Sequence, residues 1–220
     1  MLQRTDVVVF DFDGTLSASD TNYEFFKYCF KHSVRPWFFI PHVIAGSIGR
    51  VLNKDGVWWR QTIRKFLTPA MVRDFSRRFV KRHRINRFFW AKEQVLKEKK
   101  AGNKVVLITA SPDYLIPQLV KDMKFDAILT SRMDPDEPWK YKFMCWGKNK
   151  VIAMDRWARD QKYIPNLVRA YSDSKSDMPI MSIAKDRIWI DNKTGTRKYN
   201  SQIMPPVCIV PRAKKKNKKK

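Results

Sequence analysis

The chain is poor in the residues that build covalent or metal scaffolds. Its 220 residues include three cysteines, Cys29, Cys145 and Cys208, and none stands in a CxxC pair. That excludes a disulfide framework and a cysteine zinc site, and it points to a reducing, cytoplasmic setting. The three histidines, His32, His42 and His83, fit neither HExxH nor HxxxH spacing, which argues against a histidine-built metal site. Acidic residues are scarce, 21 against 45 Lys and Arg, leaving a formal charge of +24. Long apolar runs are missing too. Near the N-terminus the longest stretch free of charged side chains, Pro36 to Gly49, has 14 residues with two prolines. Spanning a bilayer takes about 20 apolar residues, so a buried or interfacial segment fits better. Met1 to Asp6 runs straight into a strand, without the apolar core and cleavage site of a secretory signal.

What is present is 44% hydrophobic and 13% aromatic residues, enough for a packed core and against a wholly disordered chain. The length suits one main domain with an inserted subdomain. The positive field favours phosphate-bearing partners: nucleic acid, anionic lipid or a phosphorylated substrate.

Val7-Val8-Val9-Phe10 and Val105-Val106-Leu107-Ile108 are short, continuous, β-branched runs, the pattern of strands buried on both faces of a parallel sheet. Leu167 to Tyr171 and Ile188-Trp189-Ile190 are weaker runs of the same kind. Helical spacing appears at Ile116, Leu119, Val120 and Met123, from Val151 to near Arg159, and at Ile180, Met181, Ile183 and Ala184. Between the first two strands, roughly 17–102, there is no good strand pattern. Helical spacing occurs there at Phe25-Phe26-Cys29-Phe30, at Val72-Phe75-Phe79 and at Phe88-Phe89 with Val95-Leu96, and Gly102 is a helix stop. The expected fold is therefore α/β: a Rossmann-like three-layer core with a mostly parallel sheet from 1–16 and 103–210, and a helical cap from 17–102. The low-complexity tail 211–220 reads as disordered and polybasic.

The first three strands each end in a polar cluster, where open α/β sheets bind ligands. Asp11-x-Asp13-Gly14 puts two carboxylates at a turn, a workable nucleophile and proton shuttle for phosphoryl transfer, although Asp-Gly turns are common in themselves. Asp173 and Asp177 lie four apart after the third strand. Oxygen ligands of this kind suit Mg²⁺, and Asp177 alternatively caps a helix. Thr109, Ala110 and Ser111 offer hydroxyls and amides at a helix start, a phosphate cradle. Lys148 and Lys150 precede the next helix.

Asp11-Phe12-Asp13-Gly14-Thr15-Leu16, Ile108-Thr109-Ala110-Ser111-Pro112, Cys145-Trp146-Gly147-Lys148-Asn149-Lys150 and Tyr171-Ser172-Asp173-Ser174-Lys175-Ser176-Asp177 together resemble, in order, the four motifs of the haloacid dehalogenase-like phosphatases. The resemblance covers most of 6–191 and is to the subgroup with a helical cap between motifs one and two, which includes phosphoserine phosphatase. Within it the chain looks most similar to the branch holding bacterial phosphatidylglycerophosphate phosphatase of the C type. The serines flanking Asp173, where phosphoserine phosphatases often have a Gly, argue against phosphoserine as substrate.

The resemblance implies that Asp11 attacks phosphorus and that Asp13 protonates the leaving group, then activates water. It implies Mg²⁺ between Asp11, the Asp13 carbonyl and Asp173, with Asp177 in support, and phosphate held by Thr109 and the following amides. Lys150 is preferred to Lys148 for its spacing from Cys145 and Gly147, and Thr109 to Ser111 as the residue directly after the strand. The inserted segment mixes aromatics and cations: Phe25, Phe26, Tyr28, Phe30, Lys31, Arg35, Trp37, Phe38, Phe39, then Trp58, Trp59 and Arg60. Most such aromatics form a cap's own core. As a group, with Trp37 to Ile48 between Arg35 and Arg50 and six lysines in the tail, they also suit peripheral contact with an anionic membrane. A phospholipid headgroup is the expected substrate. A soluble phosphomonoester is the alternative, and a nucleic-acid end is less favoured because no nucleic-acid module is visible.

Overall fold

The computed structural model describes residues 2–33, 37, 40, 41, 44, 45, 47, 48, 61, 64–82 and 87–199. The tail 211–220, the cap residues Arg35, Phe38, Phe39, Arg50, Trp58, Trp59 and Arg60, and His42, His83 and Cys208 lie outside the described residues.

The strands are β1 (Gln3–Phe10), β2 (Lys104–Pro112), β3 (Ala127–Met133), β4 (Tyr141–Phe143), β5 (Tyr163–Ser172), β6 (Asp186–Ile190) and β7 (Arg197–Tyr199). They form one sheet in the order β4-β3-β2-β1-β5-β6-β7. β3, β2, β1, β5 and β6 run parallel, and the edge strands β4 and β7 are antiparallel. The chain builds outward from β1 to β2 and β3, then returns to the other side of β1 for β5 and β6. The reversal opens a crevice at the carboxyl ends of β1, β2 and β5, where such sheets place their ligands.

The continuous apolar runs are explained by burial on two faces. Val8 and Phe10 of β1 join Val105 and Leu107 of β2 in one cluster, with Phe25, Phe79, Trp90, Ala91 and Val95 from the helices of that side. The alternate residues Val7, Val9, Val106 and Ile108 pack in a second cluster with Met154, Ile180 and Met181. The period of two along each strand thus feeds two cores and gives the three-layer arrangement.

The helices are α1 (Thr21–Lys31), α2 (Pro69–Arg82), α3 (Ala91–Lys100), α4 (Ile116–Leu119), α5 (Lys148–Asp160) and α6 (Met178–Met181), the last preceded by a 3₁₀ turn at Lys175–Asp177. α1 and α2 pack through Phe25 on Phe79 and Tyr28 on Phe75, with ring centroids 5.4 and 6.0 Å apart. α3 seats on the sheet. Its buried Glu98 accepts from Arg169 Nη1 at 2.6 Å and from the Tyr171 hydroxyl at 3.1 Å, both on β5. Gly102, at φ +87°, lies two residues past the end of α3, the stop that the sequence signals.

Three details depart from expectation. Phe88 and Phe89 are not helical: Phe88 N–H donates to Leu16 O at 3.0 Å, and the helix begins at Ala91. Ile183 lies beyond α6 and is half exposed, so the last apolar spacing is a turn rather than a helix. β3 carries only the short run Ala127-Ile128-Leu129, all half-buried, before polar residues, and β4 and β7 are three-residue edge strands, so a search for buried strands passes over them.

Candidate active site

Four strand-end segments converge. Asp11 follows β1 directly, and its amide donates to Tyr171 O of β5 at 3.0 Å, extending the parallel ladder by one residue. Its carboxylate is nearly enclosed: Lys150 Nζ donates to Oδ1 at 2.8 Å, and the Thr15 hydroxyl lies 3.4 Å from Oδ2. Lys150, on the first turn of α5, is itself buried and also donates to Asp177 Oδ2 at 2.6 Å. Lys148 is exposed, so the alternatives separate cleanly. Asp177 completes its set by accepting from Ser172 Oγ at 2.7 Å.

Asp13 sits on the other side of the turn. Its Oδ1 accepts from the Thr21 amide at 2.7 Å, at the start of α1, and its Oδ2 from the Ser111 hydroxyl at 2.5 Å. Ser111 in turn accepts from Asn22 Nδ2 at 3.2 Å. Thr109 is buried, and its Oγ1 accepts from the Ser111 amide at 3.1 Å. The Ala110 carbonyl accepts from Ser131 Oγ at 2.8 Å. Ser111 is thus the partner of Asp13, while Thr109 shapes the loop.

Asp173 accepts from Thr15 Oγ1 at 3.2 Å and from Asn192 Nδ2 at 3.0 Å, and its amide donates to Thr15 Oγ1 at 3.0 Å. Gly14 makes this approach possible. Its φ is +78°, and a Cβ built there would stand 2.0 Å from Asp173 Oδ2.

Burial dominates the electrostatics. It pushes the Asp11 carboxyl up to about 8, against the pull of Lys150 and with added repulsion from Asp177 and Asp173. Asp13 rises to about 6, again mainly through burial, then through the charge of Asp20, while the Ser111 and Thr21 hydrogen bonds pull it down. Burial raises Asp173 as well. Lys150 is driven above its ordinary value by the two carboxylates, which outweigh its own desolvation. Three carboxyls held up by burial, each also by a neighbouring carboxylate, form a site with surplus acidic groups that one lysine does not balance.

Among the described residues no group of three or more His, Cys, Asp or Glu side chains is arranged to hold a metal ion. Mg²⁺ does not require one. It keeps several waters and binds through one or two carboxylates, backbone oxygen and substrate phosphate. Asp11 and Asp173, both bonded to Thr15 across the Gly14 cradle, fit that hard-oxygen demand. Asp177 Oδ2 is taken by Lys150 and Ser172, and its Oδ1 accepts from Ser176 Oγ at 3.4 Å.

Sequence reasoning missed Asn22, Thr21 and Arg64. Arg64 is buried, donates through Nη1 to the Tyr141 hydroxyl at 2.7 Å and lies over that ring. Among the described residues no carboxylate is within ion-pair distance of it. Nothing distinguishes it in sequence among 45 basic residues.

The family model of the haloacid dehalogenase-like hydrolases matches residues 8–182. Protein CicA of Caulobacter vibrioides is 25% identical over 192 residues, covering 82% of this chain and 84% of that protein. A Mycobacterium tuberculosis protein named a probable phosphatase is 25% identical over 117 residues, 52% of this chain and 41% of that one. Among solved structures, a Bordetella pertussis protein of unknown function superimposes with TM-score 0.70 at 15% identity, over 86% of this chain and 91% of that chain. A phosphoserine phosphatase captured as an analogue of its phospho-aspartyl intermediate superimposes with TM-score 0.57 at 18% identity, over 86% and 87%. These likenesses below 25% identity establish the shared fold. With the family model spanning most of its length and the motif residues meeting at one crevice, the chain belongs to the haloacid dehalogenase-like hydrolases and is an enzyme of that family.

Proposed function

We propose that this hydrolase is a Mg²⁺-dependent phosphomonoesterase working through an aspartyl-phosphate on Asp11, with a phospholipid headgroup as substrate. The observation that carries the reading is the division of labour between two carboxyls. Asp11 is bonded to Lys150, while Asp13, two residues on, is held by Ser111 and Thr21 with its pKa at about 6. Phosphoryl transfer needs one carboxylate nucleophile and one carboxyl that exchanges a proton near neutrality. Burial holds Asp11 up to about 8, so it needs positive charge beyond that of Lys150, which a bound divalent cation would supply, to be ionised at neutral pH.

In the first step an Asp11 oxygen bonds to phosphorus as the ester P–O bond breaks, and Asp13 delivers its proton to the departing alkoxide. In the second, water attacks phosphorus, Asp13 takes a proton from it, and the Asp11–phosphorus bond breaks. Lys150 orients Asp11 and offsets the charge it shares with phosphate, and Asp177 holds Lys150 in place. The Thr109 hydroxyl and the Ala110 amide would meet the phosphate oxygens, since the Ser111 hydroxyl and amide are taken by Asp13 and Thr109. Asp11, Asp173 and the Asp13 carbonyl would hold Mg²⁺, which would supply charge neutralisation between the carboxylates and phosphate. The core comprises 1–16 and 103–210, and the insert 17–102 covers it.

Arg64 supports a substrate with a second anionic group. A buried guanidinium with no carboxylate partner among the described residues is costly unless a ligand charge meets it. A phosphorylated phosphodiester headgroup brings that charge. Membrane proximity is supported by Trp37, Ile44 and Ile48, which are 63%, 54% and 54% exposed and lie in helical backbone at spacings of seven and four. Among the described residues no helix is long and apolar enough to cross a membrane, so the contact is peripheral.

The test is phosphate release with Mg²⁺ from phosphatidylglycerophosphate in mixed micelles, beside phosphoserine and an aryl phosphate, with Asp11→Asn as control. Preference for the lipid with loss in the variant supports the reading. Full activity of Asp11→Asn overturns the mechanism, and equal turnover of soluble esters overturns the substrate.

A further inference from the structure

The phosphate chemistry occupies only the N-terminal end of α1, and the rest of that helix presents an unusual surface. Asn22 reaches Ser111 in the site, and Phe26 and Phe30 follow it at four-residue steps. Residues so spaced succeed one another on one face, advancing about 6 Å per step. The adjoining face carries Phe25 and Cys29 into the core. Beyond Asn22, around the exposed side of the helix, Tyr23, Phe26, Phe30 and Trp37 line an open groove of about 930 Å³ that also takes in Lys27 and Lys31.

Its aromatics are not used up by the fold. Tyr23 and Trp37 are 59% and 63% exposed, while Phe26 and Phe30 are half-buried, with Phe30 centred 5.9 Å from Trp37. Lys27 stands 4.6 Å from the Tyr23 ring centroid. A polar metabolite has no use for an aromatic trough, and a neutral hydrocarbon has none for lysines beside it. An anionic amphiphile uses both.

We propose that this groove holds the apolar chain of the substrate, whose phosphate lies about one helical turn away at Asp11 and Asp13. The proposal rests on the phosphomonoesterase reading for the position of the phosphate, and it commits to a hydrocarbon chain leading away from that phosphate along α1. The occupant follows from the row Asn22, Phe26 and Phe30, which leads from the site into the groove, and from the charge complementarity of Lys27 and Lys31 with an anionic ligand.

Calorimetric titration of the full chain with butylphosphonate and octylphosphonate, which resist hydrolysis and stay monomeric at low concentration, measures the groove without requiring turnover. A fully enclosed methylene contributes about fourfold in affinity. The groove is open, so the four additional methylenes of the octyl ligand are expected to tighten binding by about tenfold or more in total. Phe30→Ala and Tyr23→Ser are each expected to shrink the octyl-to-butyl ratio about threefold. Tyr23 lies on the surface, so its variant remains informative should Phe30→Ala fail to fold. An octyl-to-butyl ratio near one overturns the proposal. So does a ratio unchanged in both variants at unchanged melting temperature. Turnover of butyl phosphate is scored separately: its absence with the octyl preference intact overturns the phosphatase reading and sustains the groove, whereas turnover without that preference does the reverse.

Discussion

Gly14→Ala tests the geometry of the site with a single methyl group. The residue has φ +78°, and a Cβ there would stand 2.0, 2.4 and 2.8 Å from the Asp173 carboxylate atoms. To restore even a tight contact of 3.0–3.4 Å, the carboxylate has to recede by at least about 1 Å. It cannot do so freely, because Thr15 and Asn192 hold its two oxygens at 3.2 and 3.0 Å. Moving a group by about 1 Å in a preorganised site costs on the order of 100-fold in rate. The left-handed backbone adds about 1–2 kcal/mol for a residue with a Cβ. At roughly 2–4 °C per kcal/mol for a chain of this size, the melting temperature should fall by about 2–8 °C. The assay is phosphate release across a Mg²⁺ titration, paired with calorimetry. The expected result is a fall in kcat/KM of about 100-fold with a higher Mg²⁺ half-saturation. Activity and half-saturation within twofold of the parent would refute the placement of Asp173 beside Asp11.

Lys150→Met leaves Asp11 and Asp177 buried without their cation; activity should fall at least about 100-fold, and stability by about 3–5 kcal/mol near neutral pH. Asp11, already held up by burial, can then relieve the strain by taking up a proton, so the stability gap to wild type should narrow from pH 8 to pH 5 in urea unfolding; a constant gap argues against a charge origin. Asp20→Asn keeps the hydrogen bond that caps α1 at the Tyr23 amide but removes the charge that helps raise Asp13 to about 6. Asp13 must start protonated and loses its proton as pH rises through that value, so the alkaline limb of kcat/KM should move to lower pH; an upward shift would contradict the acid role. Arg64→Met should raise KM about tenfold or more for a phosphorylated phosphodiester headgroup and far less for an aryl phosphate, as steady-state kinetics on the two substrates will show. Glu98→Gln disturbs a buried acceptor of Arg169, Tyr171, Gln94 and Asn103 and should cost about 1–3 kcal/mol, read as a fall in melting temperature.

The central strands and the motif segments are legible in sequence because their demands are local. A strand buried on both faces needs a continuous apolar run, and a strand end that handles phosphate needs carboxylates and hydroxyls in a fixed order. The spacing from Cys145 and Gly147 to Lys150 is likewise a property of one helix start, and the structure puts that lysine between Asp11 and Asp177. Other features depend on partners far away in the chain. Arg64 meets Tyr141 across 77 residues, and Asn22 meets Ser111 across 89. Neither side chain carries a pattern of its own. β3 and β4 form against an already built sheet, so their residues answer to neighbours rather than to an internal period.

The position of β1 has a consequence for how the chain is made. It is made before the other strands of its sheet, yet it ends in the middle, with β2 on one side and β5 on the other. Its second neighbour begins at Tyr163, about 150 residues after Phe10, or roughly 8–30 s later at ordinary rates of synthesis. For that interval a strand whose last four residues are all apolar has at least one open edge, the state most prone to pair with a neighbouring chain. Asp11 waits equally long for the segment bearing Asp173 and Asp177. The end of the sheet where the motif residues meet is therefore assembled last during synthesis, and a nascent chain released before Ser172 would carry Asp11 without Asp173 and Asp177.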